Sequence, residues 1–199
     1  EVFDYRSKYL PGLSRKITPI DLPENKIQEI REDCCKMFDL LRCQVYARID
    51  GFITSKGIIY LNDPNTTSGM MPSSFFFHQA AEIGLNPSQF LTYIIRTSLH
   101  QRSISWANNL GPLLLLKKLD QKIEQNQQHQ NEKTKIAIVM GGYSSERHIS
   151  VESGRNIYEK LSSSSKYLPI PLFLSGNDKK YSLHQLPISM MLKDNADDI

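Results

Sequence analysis

From Lys135 to Leu174 the chain reads as strand, tight glycine turn, helix and strand. KIAIVM is a continuous apolar run, GGYSSE a glycine and serine turn, Arg147 to Leu161 a helical stretch, and Leu168 to Leu174 a second short apolar run. That order predicts a parallel βαβ unit, whose strands are buried on both faces and so need not alternate. Immediately ahead of it, KKLDQKIEQNQQHQNEKTK from Lys117 to Lys135 is polar, rich in Gln and Lys and free of aromatics. It reads as a linker, helical at its start. The chain therefore divides into residues 1–116, a linker over 117–134, and residues 135–199.

Before the linker the pattern differs. Ile27, Ile30, Cys34, Met37, Phe38 and Leu41 recur with helical spacing. The period then drops to two, with Val45, Ala47 and Ile49 alternating with Tyr46, Arg48 and Asp50. After a turn at Thr54 to Gly57 a second strand runs from Ile58 into Asn62, which predicts an antiparallel hairpin. A polar loop, DPNTTSGMMPSS, leads to a helix over Phe76 to Ile83 ended by Gly84. A further helix follows from Pro87 to about Gln101, with Asn86 as its N-cap and Phe90, Leu91, Ile94 and Ile95 as its buried stripe. The segment from Lys179 to Ile199 carries no usable period. The fold class is α/β, a hairpin-containing α+β portion followed by a βαβ portion.

Several function classes are disfavoured. The net charge is +3, from 24 Lys+Arg against 21 Asp+Glu, with both signs interspersed and no basic stripe for nucleic acid. The apolar stretch near Leu110 to Leu116 is broken by Gly111 and Pro112 and is too short for a bilayer span. Cys34, Cys35 and Cys43 are odd in number and clustered, which points to a reducing cytoplasm, with the adjacent pair filling core space. There is no signal peptide, and the opening on Glu1 reads as the middle of a longer chain, so a fragment is expected.

Three constellations carry candidate chemistry. Arg48 and Asp50 share one face of the first strand, and Asp63 and Asn65 repeat the spacing beyond the second. A tight turn at Lys56 and Gly57 sets Asp50 opposite Asp63 and Arg48 opposite Asn65. Facing carboxylates repel unless a cation lies between them. Two carboxylates and an amide oxygen suit Mg²⁺ shared with substrate phosphates, and the neighbouring Arg suits an oxyanion. The plainer reading is a solvated hairpin face with Arg48 bridging the aspartates. GGYSSE, at Gly141 to Glu146, offers an anion the free amides of a helix start, or else simply an N-cap from Ser144 or Ser145. Glu146 is then a dipole partner or a group that recognises an amine. In FDYRSKYLPG, Lys8 is able to reach a phosphate and Tyr9 to cover a site, or both are ordinary surface residues. The histidines share no ligand spacing, and His148 is expected to be exposed.

Taken together, these residues resemble the D-alanine:D-alanine ligases, ATP-grasp carboxylate-amine ligases of peptidoglycan synthesis. Residues 1 to about 101, through FDYRSKY, ITP, ARIDGF, YLNDPNTTSGMMPSS and GLNPSQFLTYII, look like the last third of such an enzyme. KIAIVMGGYSSERHISVESG looks like its opening, so a C-terminal piece precedes an N-terminal one. The resemblance implies an ATP-grasp C-terminal portion and a Rossmann-like N-terminal portion, arranged as a tandem junction, a circular permutation or a swapped assembly. It implies ligation of two D-alanine molecules with ATP and Mg²⁺ or Mn²⁺. Asp50, Asp63 and Asn65 would hold the metal, and Arg48 and the Gly69 amide would support the tetrahedral intermediate. Ser74 would bind the carboxylate of the second D-alanine, Lys8 the γ-phosphate, and Glu146 the ammonium of the first D-alanine, while Tyr9 closes a loop over the site. It further implies a cytoplasmic protein, either a homodimer or a tandem module, with no nucleic-acid or membrane partner.

Two departures from the family pattern stand out. Asp63 replaces the usual Glu and is followed by Pro64. The middle section, with its glycine-rich loop, nucleotide lysines and adenine hinge, is missing, so this chain alone should be inactive. The rivals are a related ligase with another second substrate and a non-catalytic descendant that binds or assembles.

Overall fold

The computed structural model describes residues 17–70, 74–105, 110–193 and 196–199. Helix α1 (Glu24–Leu40) starts after Pro23. It ends in a Schellman cap, with Cys43 N–H bonded to the Phe38 carbonyl and Arg42 N–H to that of Asp39, both at 3.0 Å, and Arg42 left-handed at φ 54°. The expected apolar stripe is not buried, since no residue of α1 is. Cys34 is half-buried and Cys35 exposed, so the pair does not fill core space. Desolvation pushes the Cys34 thiol above its ordinary value, with smaller contributions from Cys35 and Asp33.

Strands β1 (Arg48–Ile53) and β2 (Ile59–Asn65) form the expected antiparallel hairpin. Helix α2 (Phe75–Glu82) ends on a second Schellman cap, in which Leu85 N–H reaches the Ala80 carbonyl at 3.0 Å and Gly84 turns to φ +83°. Helix α3 (Pro87–Ser105) opens with a reciprocal capping box. Gln89 N–H donates to Asn86 Oδ1 at 2.8 Å, and the Gln89 side chain accepts from Asn86 N–H at 2.9 Å. Only part of the predicted α3 stripe is covered. Phe90 is buried and Ile94 packs on the core, whereas Leu91 and Ile95 are exposed.

The polar stretch read as a linker is helical for most of its length. Helix α4 (Leu110–Gln128) tolerates Pro112 in its first turn and then runs through good helix formers. It packs along α3, joined by the Arg96–Asp120 pair at 2.7 and 3.3 Å. A short 3-10 turn (Gln130–Glu132) leads into β3 (Thr134–Gly141), helix α5 (Arg147–Ser162) and β4 (Tyr167–Gly176).

β3 and β4 pair in parallel, from Thr134 opposite Tyr167 to Gly141 opposite Leu174, as the βαβ reading requires. Burial nevertheless alternates along β3. Ile138 and Met140 are buried under α5, whereas Val139 points away and is 55% exposed. The expectation of two buried faces fails because α5 is the helix packed on these strands among the described residues. The apparently patternless C-terminal segment is ordered too. β5 (Tyr181–Gln185) adds antiparallel to β4 and is followed by the single-turn helix α6 (Ile188–Met191). Arg155 of α5 holds that end, donating to the Met191 carbonyl at 2.6 Å and to the Lys193 carbonyl.

One core joins both portions. Phe77, Ala80, Ala81 and Phe90 from α2 and α3 cluster with Tyr158, Met191 and Leu192 from α5 and the C-terminal segment. Aromatic contacts, one edge-on and one tilted, extend this core toward the hairpin. Phe90 meets Phe76 at 4.7 Å between centroids, and Phe76 meets Tyr46 at 5.1 Å.

Candidate active site

The hairpin carries the densest group of candidate residues. Its turn is closed by Thr54 N–H to the Ile58 carbonyl at 3.0 Å, and Lys26 of α1 reaches the Gly57 carbonyl at 3.0 Å. From Ile53 opposite Ile59 the register runs regularly to Asp50 opposite Asn62. There it slips by one residue, so that Ile49 faces Pro64 and Arg48 faces Asn65. The expected pairing of Arg48 with Asn65 is present, but Asp50 lies opposite Asn62 rather than Asp63. Asp63 is the extra residue of a β-bulge, in the left-handed conformation at φ 48°. Pro64 supplies the reason, since it has no N–H for the ladder and sits in sheets at edges and bulges.

The bulge draws Asp63 toward Arg48. Arg48 Nη2 lies 4.0 Å from Asp63 Oδ2 and 3.4 Å from Asp50 Oδ2, and Nε lies 3.1 Å from Asp50 Oδ1. That Nε contact is an ion pair out of line for a hydrogen bond, and Nε is buried without a hydrogen-bond partner among the described residues. The guanidinium therefore bridges two carboxylates, as the plainer reading anticipated. Asn65 donates its amide nitrogen to the Asp63 carbonyl at 2.8 Å, which fixes the bulge and leaves the amide oxygen as the atom it can offer a cation. Among the described residues no three acidic, His or Cys side chains cluster tightly enough to form a metal cage by themselves.

Ser74 caps the start of α2, where its carbonyl accepts from Phe77 and His78 N–H at 3.1 and 3.3 Å. Its hydroxyl is buried and has no hydrogen-bond partner among the described residues. A buried hydroxyl left unmatched at a helix N-terminus is costly in isolation and well placed for an anion. The Phe76–Tyr46 contact ties this helix to the chain just before Arg48. Gly69 lies exposed in the intervening loop, next to buried Ser68.

The glycine turn of the βαβ unit takes the form its sequence requires. Gly141 and Gly142 adopt φ +94° and +106°, and a Cβ on Gly141 would meet the Leu174 carbonyl oxygen at 2.8 Å. Glu146, not a serine, is the N-cap of α5, and its N–H reaches Ser144 Oγ at 3.3 Å. Its exposed side chain makes no ion pair among the described residues, and the structure does not join it to the hairpin. Lys8 and Tyr9 lie outside the described residues. His148 is exposed. The bulge itself escaped sequence reasoning, although Pro64 inside a strand was the available signal. Two cavities, of ≈450 and ≈650 Å³, lie elsewhere, and neither is lined by a hairpin residue.

Comparison with known proteins matches the two portions separately. The D-ala D-ala ligase C-terminus family model covers residues 1–96, and the D-ala D-ala ligase N-terminus model covers residues 135–197. D-alanine–D-alanine ligase B of Clostridium perfringens is 34% identical over 102 residues, 51% of this chain and 33% of that protein. D-alanine–D-alanine ligase of Leptospira biflexa is 33% identical over 99 residues, 50% of this chain and 28% of that protein. The chain thus spans about a third of the length of the relatives it matches. No solved structure matches it. Among the described residues no helix is long and apolar enough to cross a membrane.

Proposed function

Because the chain belongs to the D-alanine–D-alanine ligase family, we propose that it is part of a cytoplasmic ATP-dependent ligase that joins two D-alanine molecules for peptidoglycan synthesis. Residues 1–116 are its ATP-grasp C-terminal portion, 117–134 the connection, and 135–199 the start of a Rossmann-like N-terminal portion. A C-terminal portion ahead of an N-terminal one is the order expected where two ligase units follow in tandem.

The hairpin donor set fits a hard divalent cation, offering two carboxylates and an amide oxygen from one end of a sheet. Asp50, Asp63 and Asn65 would hold Mg²⁺, which when bound offsets phosphate charge as ATP activates a carboxylate to the acyl phosphate. Arg48, already poised between the carboxylates, orients toward the oxyanion that forms when an amine attacks that acyl group. The Gly69 amide donates to the same oxyanion, and the unmatched Ser74 hydroxyl binds the carboxylate of the second D-alanine. Glu146 receives the ammonium of the first D-alanine, Lys8 meets the γ-phosphate, and Tyr9 shields the site. The single observation that carries this reading is the bulge that gathers Asp50 and Asp63, 13 residues apart, on one guanidinium.

The test is D-alanine-dependent phosphate release from ATP by the whole protein carrying this chain, compared with its Arg48→Ala variant. Loss of one oxyanion donor should lower the rate about 10² to 10³-fold, with the circular dichroism spectrum unchanged. Full activity in the variant would refute the role, and unfolding would favour a structural bridge.

A second reading is a non-catalytic descendant, favoured by the shorter Asp63 and by Arg48 neutralising both acids itself. Under it, wild type is inert toward Mg²⁺ and Asp63→Glu restores binding. Equal affinity in both favours a working ligase.

A further inference from the structure

We propose that the cleft between α4 and the leading ends of β3 and β4 binds a small anion carrying two or more phosphate groups. The cleft measures ≈650 Å³ and is lined by Lys122 of α4, Lys133 just after the 3-10 turn and Lys166 just ahead of β4. The placement follows from the fold. The first rung of the parallel pair, Thr134 N–H to the Lys166 carbonyl at 3.0 Å, brings residues 133 and 166 side by side. The Lys133 ammonium is pinned to the wall by the Ser164 carbonyl at 2.9 Å, whereas Lys122 and Lys166 make no ion pair among the described residues. Against these ammonium groups the lining sets one carboxylate, that of Glu132, which faces His129 at 4.0 Å.

Like charges gathered around a concave wall repel one another and raise the local concentration of anions. An ammonium is a compact point charge with rotatable donors, which suits phosphate oxygens spread over more than one centre. Tyr167 at the rim, 41% exposed, adds a hydroxyl and a ring face. None of these residues belongs to the hairpin, Ser74 or Glu146, and the proposal holds whether or not the chain takes part in ligation.

The experiment is calorimetric titration of the 199-residue chain with inorganic pyrophosphate at low ionic strength, with EDTA present to keep divalent metal from the hairpin. The Lys122→Ala/Lys166→Ala variant should bind at least about tenfold more weakly, since charge-assisted bonds to phosphate are among the stronger ones. The Lys117→Ala/Lys118→Ala variant, on the same helix but outside the lining, should match wild type. A parallel titration with ADP separates sources of the phosphate. Tighter ADP binding, lost in the same variant, assigns the cleft to a nucleotide, whereas equal affinities assign it to the phosphate groups alone. No binding by a chain that circular dichroism shows to be folded, or equal binding by the Lys122/Lys166 variant, overturns the proposal.

Discussion

Replacing Gly154 with Ala tests how tightly α5 is seated on the β3–β4 sheet. A Cβ at Gly154 would lie 2.8 Å from Met140 Cβ, 2.9 Å from its Cε and 3.2 Å from its Sδ. The methionine tip can swing aside, but Cβ is fixed to β3, and Met140 is 1% exposed, so the helix itself must move by a few tenths of an ångström. Overpacking of this kind costs about 1–3 kcal/mol. Exchanging a mid-helix Gly for Ala recovers about 1 kcal/mol of helix propensity. The net expectation is a destabilisation of about 0–2 kcal/mol, or a fall in Tm of up to about 8 °C at 2–4 °C per kcal/mol for a chain of this size. Ser153→Ala, one residue earlier and exposed, carries a smaller propensity gain, about 0.5 kcal/mol, without the contact and should be slightly stabilising. Thermal unfolding followed by circular dichroism compares the two. Because Glu146 caps the start of α5, the same displacement should also weaken any amine bound there. If Gly154→Ala is stabilised by the full propensity gain, α5 does not sit on Met140 and the packing argument is wrong.

Further outcomes follow from the caps and from one strained carboxyl. Arg42 and Gly84 occupy the same left-handed position of two Schellman caps, so Arg42→Gly should stabilise by up to about 1 kcal/mol and Gly84→Ala destabilise by a similar amount in chemical denaturation. Asn86→Ala removes half of the α3 capping box and should cost about 1 kcal/mol by the same measurement. Desolvation, then the neighbouring Glu152, raises the Glu159 pKa, with Arg155 opposing. The fold therefore favours the protonated form: the stability it contributes is complete below the ordinary value of 4.5 and is lost as pH rises through the raised one. Glu159→Gln should raise Tm modestly at neutral pH and leave it unchanged below that ordinary value. An equal change at both pH values would contradict the assignment.

Local rules carried most of the fold. The parallel βαβ unit, the hairpin, the Gly84 stop and the Asn86 cap all rest on residues near in sequence, and each is present. What escaped depends on distant partners. Composition marked 117–134 as a connection helical at its start, but the helix runs on to Gln128, because Lys, Gln and Glu are good helix formers and Asp120 finds Arg96 on a neighbouring helix. Leu91 and Ile95 have helical spacing yet no facing layer among the described residues. The segment beyond Lys179 has no period because its order comes from pairing with β4 and from the Arg155 guanidinium. At the candidate site the shared face of Arg48 and Asp50 was legible from a period of two. The position of Asp63 was not, because the loop closes between Thr54 and Ile58, one residue longer than a tight turn at Lys56 and Gly57, and the bulge at Asp63 then restores the expected pairing of Arg48 with Asn65.

The core shared by the two portions has a consequence for synthesis on the ribosome. Phe77 and Met191 belong to one cluster, although more than a hundred residues separate them. At roughly 5–20 residues per second, the inner face of α2 waits on the order of 10 s before the segment that covers it emerges. During that interval Phe77, Ala80 and Ala81 are an open apolar surface available to chaperones or to neighbouring nascent chains. A message truncated between α4 and α5 would release a product with that surface permanently bare.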